Sequence, residues 1–105
     1  MNNSQDLLNL LRIIKKKPKF SQRELAKNLG FSLGKLNYCL NAIKIKGLIK
    51  IENFKNNPNK VNYIYILTHK GMSEKAKLTI NFMKKKIKEY EALKAELDNS
   101  NHNEI

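Results

Sequence analysis

The side chains able to do chemistry in this 105-residue chain are mostly cations and amides: 19 Lys, two Arg and 15 Asn against nine carboxylates, two His and one Cys. Acid–base or nucleophilic catalysis needs paired carboxylates in an apolar setting, or a nucleophile beside an identifiable base. Neither pattern occurs, and no glycine-rich phosphate loop follows a strand. Cys39, His69 and His102 are too few for a zinc site. No metal, no cofactor and no enzymatic activity are expected. Lysine and asparagine suit other work. An ammonium neutralises a phosphate, and a carboxamide donates and accepts at once, as adenine does through N6 and N7 in the major groove. Asn37 and Asn41 lie four residues apart with Lys35 close by, and that spacing acquires meaning only on a helix.

The distribution of charge narrows the partner. The formal net charge is +12. Five of the nine acidic residues lie beyond position 88, where Lys94 is the one cation. A basic body with an acidic end suits a polyanion. The excess of Lys and Asn, with 11 Ile, is also what AT-rich coding sequence produces, so compositional drift on a solvated surface is the competing explanation.

Length and composition set the remaining bounds. One domain fits 105 residues, and 41% hydrophobic residues supply a modest core. Apolar runs extend only a few residues, against the roughly 20 of a membrane span. The N-terminal charges follow the apolar part, the reverse of a secretory leader. A single cysteine builds no disulfide framework. The expectation is a soluble, cytoplasmic, basic domain with no membrane contact.

The elements that must position these groups follow from caps and periodicity. Leu7, Leu8, Leu11 and Ile14 recur at helical spacing from Asp6 to Lys17, with Ser4 placed to cap and Pro18 to terminate. Ser21 and Glu24 form a capping box ahead of Leu25, Ala26 and Leu29, and Gly30 closes that short helix. Ser32 caps a third helix running to about Lys46, with Leu36, Leu40 and Ile43 inward, Leu33 and Cys39 on its flanks and Gly47 at its end. Two short helices joined by a tight glycine turn read as a helix-turn-helix. Leu48-Ile49-Lys50-Ile51-Glu52 and Tyr63-Ile64-Tyr65-Ile66-Leu67 read as strands. The stretch 53–62 between them reads as an open loop with Pro58 at its tip, so the hairpin is a wing. Thr68 caps a final helix with one apolar stripe: Met72, Ala76, Ile80, Met83, Ile87, Tyr90, Leu93 and Leu97. About 30 residues at ~1.5 Å each give ~45 Å, longer than a domain of this size is wide. The expected fold is mainly α with a small β-hairpin (α+β). It comprises a winged helix-turn-helix over 4–71, a long C-terminal dimerisation helix over 72–98, and a frayed tail over 99–105.

The stretches Ser21-Gln22-Arg23-Glu24-Leu25-Ala26-Lys27-Asn28-Leu29-Gly30, Ser32 through Gly47-Leu48-Ile49, and Leu67-Thr68-His69-Lys70-Gly71 resemble the MarR-type winged helix-turn-helix regulators. The narrower resemblance is to small exopolysaccharide-associated MarR-like transcriptional regulators of bacteria. It extends through Asn53-Phe54-Lys55-Asn56-Asn57-Pro58-Asn59-Lys60 and into Glu89-Tyr90-Glu91-Ala92-Leu93-Lys94-Ala95-Glu96. The resemblance implies a cytoplasmic DNA-binding regulator encoded near surface-polysaccharide genes, and the apolar stripe of the last helix adds the expectation that it binds double-stranded DNA as a homodimer. Two departures accompany it. The wing carries Lys55 and Lys60 in place of the broader family's Asp-Arg-Arg run, and one C-terminal helix stands where that family uses two. No small-molecule effector is therefore assigned.

On this reading the third helix turns Gly34, Lys35, Asn37, Tyr38 and Asn41 towards the duplex. Asn37 and Asn41 are the base-reading candidates or, alternatively, solvated amides in an Asn-rich chain. Tyr38 meets a sugar or a thymine methyl, or else covers the helix surface. Lys35 suits a phosphate. Gly34 permits close backbone approach, or is a tolerated first-turn glycine. Ser21 and Gln22, and likewise Ser32, lie at helix starts whose amides suit a phosphate, with capping as the purely structural role. Lys55, Asn57 and Lys60 flank the wing tip and would reach backbone or minor groove, unless the hairpin is merely solvated. The run Lys84-Lys85-Lys86 reads as a solvated face, and His69 and His102 as surface residues. Cys39 is a small core residue or a redox-sensitive thiol. Ile80, Met83, Ile87, Tyr90, Leu93 and Leu97 are expected to pair between two chains, to fold back on Leu7, Leu11 and Ile14, or to do both, the early turns serving the core and the later ones the partner. The rival from another class is a winged-helix protein-interaction module that uses the long helix and binds no specific DNA.

Overall fold

The computed structural model describes residues 3–57 and 60–103, and side chains within these except at 54–57, 60–62 and 101–103. The first helix, α1 (Ser4–Lys16), is capped by Asn3 rather than by the expected Ser4, the Asn3 side chain accepting from the Gln5 amide at 2.9 Å. Asn caps as well as Ser, and Asn3 has the extended backbone a cap requires, whereas Ser4 is already helical. Leu8, Leu10, Leu11 and Ile14 are buried, and Leu7 and Ile13 pack at the edge of the core. The single face expected from periodicity is thus widened. Leu10, three residues after Leu7 and four before Ile14, belongs to the same face and is fully buried as well.

Helix α2 (Gln22–Leu29) starts with the complete capping box. The Ser21 amide donates to Glu24 Oε1 and the Glu24 amide to Ser21 Oγ, each at 3.1 Å. It ends at Gly30 with φ 71°, and the Phe31 amide returns to the Ala26 carbonyl at 2.9 Å. Two residues later Ser32 caps α3 (Leu33–Ile45), its Oγ accepting from the Lys35 amide at 3.1 Å. Gly47, at φ 74°, turns the chain out of α3.

The hairpin consists of β1 (Ile49–Asn57) and β2 (Lys60–Leu67), antiparallel with Ile49 opposite Leu67 and Ile51 opposite Tyr65. Much of the stretch expected as loop is strand. The ladder continues past Lys55 opposite Val61 to Asn57 opposite Lys60, with an irregularity between Lys55 and Asn57. Turn-forming side chains weaken a strand, but once the core half of the hairpin is held, each further rung satisfies backbone groups that would otherwise need water. Pro58, expected at the tip, lies outside the described residues. The Tyr65 amide donates to the Pro18 carbonyl at 3.1 Å, which ties β2 to the α1–α2 link.

One core joins α1, α2, α3 and the hairpin. It contains Leu10, Leu11, Ile14, Leu25, Ala26, Leu36, Cys39, Leu40, Ile43, Leu48, Ile49 and Tyr65. Helix α4 (His69–Asn103) leaves this body. Thr68 makes the joint: its amide donates to the Leu48 carbonyl at 3.0 Å, its Oγ1 donates to the Gly47 carbonyl at 2.5 Å, and the Gly71 amide donates to its Oγ1 at 3.0 Å. The 35-residue helix runs beyond Asp98 and includes 99–103. It gives the molecule a longest dimension of 73 Å against 26 and 21 Å across. No helix among the described residues is long and apolar enough to cross a membrane.

Candidate nucleic-acid interface

Helix α3 divides cleanly into two sides. Leu36, Cys39, Leu40 and Ile43 are buried against the rest of the body. Gly34, Lys35, Asn37, Tyr38 and Asn41 are all exposed, Tyr38 at 62%. None of these outward positions is covered by another described element. Asn37 and Asn41 sit one turn apart, ~6 Å along the axis, so both amides can address neighbouring positions on one ligand. Gly34 has nothing within 4 Å of where a Cβ would stand. Internal packing therefore gives no reason for glycine there, and the backbone of the first turn is left bare. The outward row continues to Ile45, 77% exposed at the phase of Tyr38 and Asn41, an apolar residue that following the inward set alone passes over.

Lys35 is not an unengaged cation. Its Nζ lies 2.8 Å from Asp6 Oδ2 on α1 and 4.2 Å from the centroid of the Phe31 ring. Its only fellow cation on α3 is Lys44, in the last turn. The outward side of α3 before its last turn is thus neutral apart from one paired lysine, and amides and a tyrosine make up most of its exposed side chains. No local sequence signal announces this pair, because its members are 29 residues apart.

Ser21 and Gln22 are exposed at the start of α2. The capping box occupies the Ser21 and Glu24 amides and places the Glu24 carboxylate at that helix end. A phosphate arriving there shares the dipole with a resident negative charge and finds the Gln22 and Arg23 amides outside the cap. Ser32 is exposed and committed to capping α3. Lys55, Asn57 and Lys60 lie on the outer rungs of the hairpin, but their side chains fall outside the described residues. Arg23, Lys27, Lys44, Lys46 and Lys50 are exposed on α2, α3 and the start of β1.

Cys39 is fully buried on the inner side of α3, and that desolvation pushes its thiol pKa up. A raised pKa and no exposure keep the reactive thiolate scarce, which favours the core role over the redox one.

On α4 the stripe from Ile80 to Leu97 faces away from the body. Ile80, Met83, Ile87, Tyr90, Leu93 and Leu97 are between 53% and 65% exposed. The expected alternative, folding of this stripe back on Leu7, Leu11 and Ile14, does not occur. Leu78, on another side of α4, is the residue that packs against the core, while Met72 stays 40% exposed. The reason is phase: the side of α4 that meets the body is set by the Thr68 joint rather than by where the apolar stripe is longest.

Comparison with known proteins agrees with this architecture. The winged helix-turn-helix DNA-binding pattern matches residues 7–50. No curated protein matches the chain. Among solved structures, the PcaV transcriptional regulator of Streptomyces coelicolor, with its natural ligand, superposes at a TM-score of 0.65 with 14% identity, over 74% of this chain and 54% of that one. ZitR, a zinc-responsive MarR family member from Lactococcus lactis, gives 0.64 with 19% identity, over 89% and 62%. Streptococcus pneumoniae FabT, in complex with DNA, gives 0.59 with 22% identity, over 82% and 57%. The chain thus spans less than two thirds of the length of each of these three. By fold, it is a winged helix-turn-helix of the kind that MarR-family regulators carry.

Proposed function

We propose that this protein is a sequence-specific double-stranded DNA-binding transcriptional regulator and not an enzyme, with α3 in the major groove and the wing on the backbone or minor groove. The observation that carries the reading is the outward side of α3: an uncovered row of Gly34, Asn37, Tyr38 and Asn41 on a helix whose other side is locked into the core. Amides at adjacent turns and a bare first-turn backbone suit base edges, which carry sequence information. The surrounding lysines suit phosphates, which do not. FabT, of the same fold, is bound to DNA. The resemblance to exopolysaccharide-associated regulators extends the proposal to a cytoplasmic protein acting on surface-polysaccharide genes.

The regulator acts as a homodimer through α4. Six large apolar side chains stand exposed on one stripe of a helix that outruns its own domain, and a second copy offers the same stripe in return. Acidic Glu89, Glu91 and Glu96 on this half keep it away from the duplex. Selection of bound fragments from a random duplex pool tests binding, specificity and half-site symmetry together. Asn37→Ala or Asn41→Ala is expected to weaken the selected site by ~1–3 kcal/mol and relax preference at one base pair. Parent-like affinity in both variants overturns the assignment of α3. Failure to bind any duplex at low salt leaves the interaction-module reading in its place.

A further inference from the structure

We propose that Asp6 acts as an internal stand-in for a DNA phosphate, holding Lys35 until a duplex displaces it and so restraining sequence-independent binding. This rests on the DNA-binding reading above and identifies a residue outside the expected contact set. Asp6 belongs to the first turn of α1, yet its Oδ2 reaches Lys35 Nζ at 2.8 Å across the gap to the first turn of α3. The ammonium also lies over the Phe31 ring, 4.2 Å from its centroid. The Lys35 backbone is fixed as well, its amide bonded to the Ser32 cap. The lysine is therefore held at three points where α3 begins, at the end of the helix whose exposed row runs from Gly34 onward.

The surroundings make this one pair consequential. Lys35 is the only cation on α3 before Lys44, so its partner decides whether the front of that helix presents positive charge at all. Paired with Asp6 it presents almost none. Both side chains keep solvent contact, 46% for Lys35 and 22% for Asp6, so the pair is not sealed in the interior. Exposed ion pairs of this kind contribute little to stability, and an ammonium on a flexible stem exchanges one oxygen anion for another readily. The exchange costs the loss of the Asp6 contact on every duplex, whatever its sequence. Only a duplex that also satisfies Asn37, Tyr38 and Asn41 offsets that loss.

The test uses the full chain and a labelled mixed-sequence duplex, titrated over a range of salt concentrations. Asp6→Asn is expected to raise affinity several-fold and to steepen the log K against log salt slope by up to ~0.9, one phosphate contact. In a Lys35→Ala background the same substitution is expected to change neither quantity. Asp6→Glu, which keeps a carboxylate, is expected to behave like the parent. A parent that binds duplex while Asp6→Asn leaves affinity and slope unchanged, or lowers them, overturns the proposal alone. A gain that persists without Lys35 also overturns it, because Asp6 would then only repel phosphate directly. A parent that binds no duplex at low salt overturns the DNA-binding reading and this proposal with it. Matching circular-dichroism melts of parent and Asp6→Asn exclude a folding effect.

Discussion

Leu36, Cys39, Leu40 and Ile43 on α3 are 0–4% exposed, whereas Ile80, Met83, Ile87, Tyr90, Leu93 and Leu97 on α4 are 53–65% exposed. Both sets follow helical spacing, and both would be marked as core by hydrophobicity alone. What differs is geometry beyond the helix. Around α3 the chain supplies α1, α2 and β1 within a body 21–26 Å across, while α4 carries its stripe out along a 73 Å axis where its own chain offers nothing to meet it. An apolar stripe thus does not by itself mark core, and only the arrangement of the rest says whether the chain covers it. The outer side of α3 is bare as well but mostly polar, and its amides suit a polar ligand.

Three substitutions sharpen or break this contrast. Leu36→Ala, at 0% exposure in the core, is expected to lower unfolding free energy by ~2–5 kcal/mol in denaturant melts, since it leaves a cavity among side chains with little room to relax. Stability within 0.5 kcal/mol of the parent would deny that α3 is locked. Gly71→Ala probes the joint between the two regions. A Cβ at this position overlaps the Leu48 carbonyl oxygen, which is backbone and already bonded to the Thr68 amide, so the start of α4 must shift. The expected cost is ~1–3 kcal/mol in the same melts. Leu93→Ala is expected to change the melt of the dilute chain by less than ~0.5 kcal/mol, because the side chain is 64% exposed. The same substitution weakens self-association in sedimentation or light scattering at high micromolar concentration. A strictly monomeric parent under those conditions removes the homodimer from the proposed function. A large melting loss in dilute Leu93→Ala would mean instead that the stripe is covered within its own chain.

How much was legible follows the range of each interaction. The Ser21–Glu24 box, Ser32, Gly30 and Gly47 act over three or four residues, and each helix boundary they mark stands where the sequence puts it, to within a residue. Alternation in Ile49–Ile51 and Tyr63–Leu67 marked the hairpin, but its length was underestimated, because pairing propagated through Asn53–Asn57 despite their turn propensity. Leu10 was missed although its spacing, three from Leu7 and four from Ile14, places it on the face already marked. Within the candidate site, exposure of Gly34, Asn37, Tyr38 and Asn41 followed from the phase of Leu36, Leu40 and Ile43. Engagement of Lys35 by Asp6 did not, since nothing local relates residues on different helices.

Amino-acid order alone determined the boundaries of α2 and α3 to within a residue, which side of α3 turns inward, that a basic body carries an acidic end, and that one apolar stripe runs along the last helix. These are matters of capping, periodicity and charge, which act within a few turns of chain. Tertiary structure decided which side of α4 meets the body, that its stripe is left outside, and that the one cation at the front of α3 is held by a carboxylate from α1. Those outcomes depend on the relative placement of whole elements, set by the shared core and the Thr68–Gly71 joint. Such placement brings together groups that are distant in sequence.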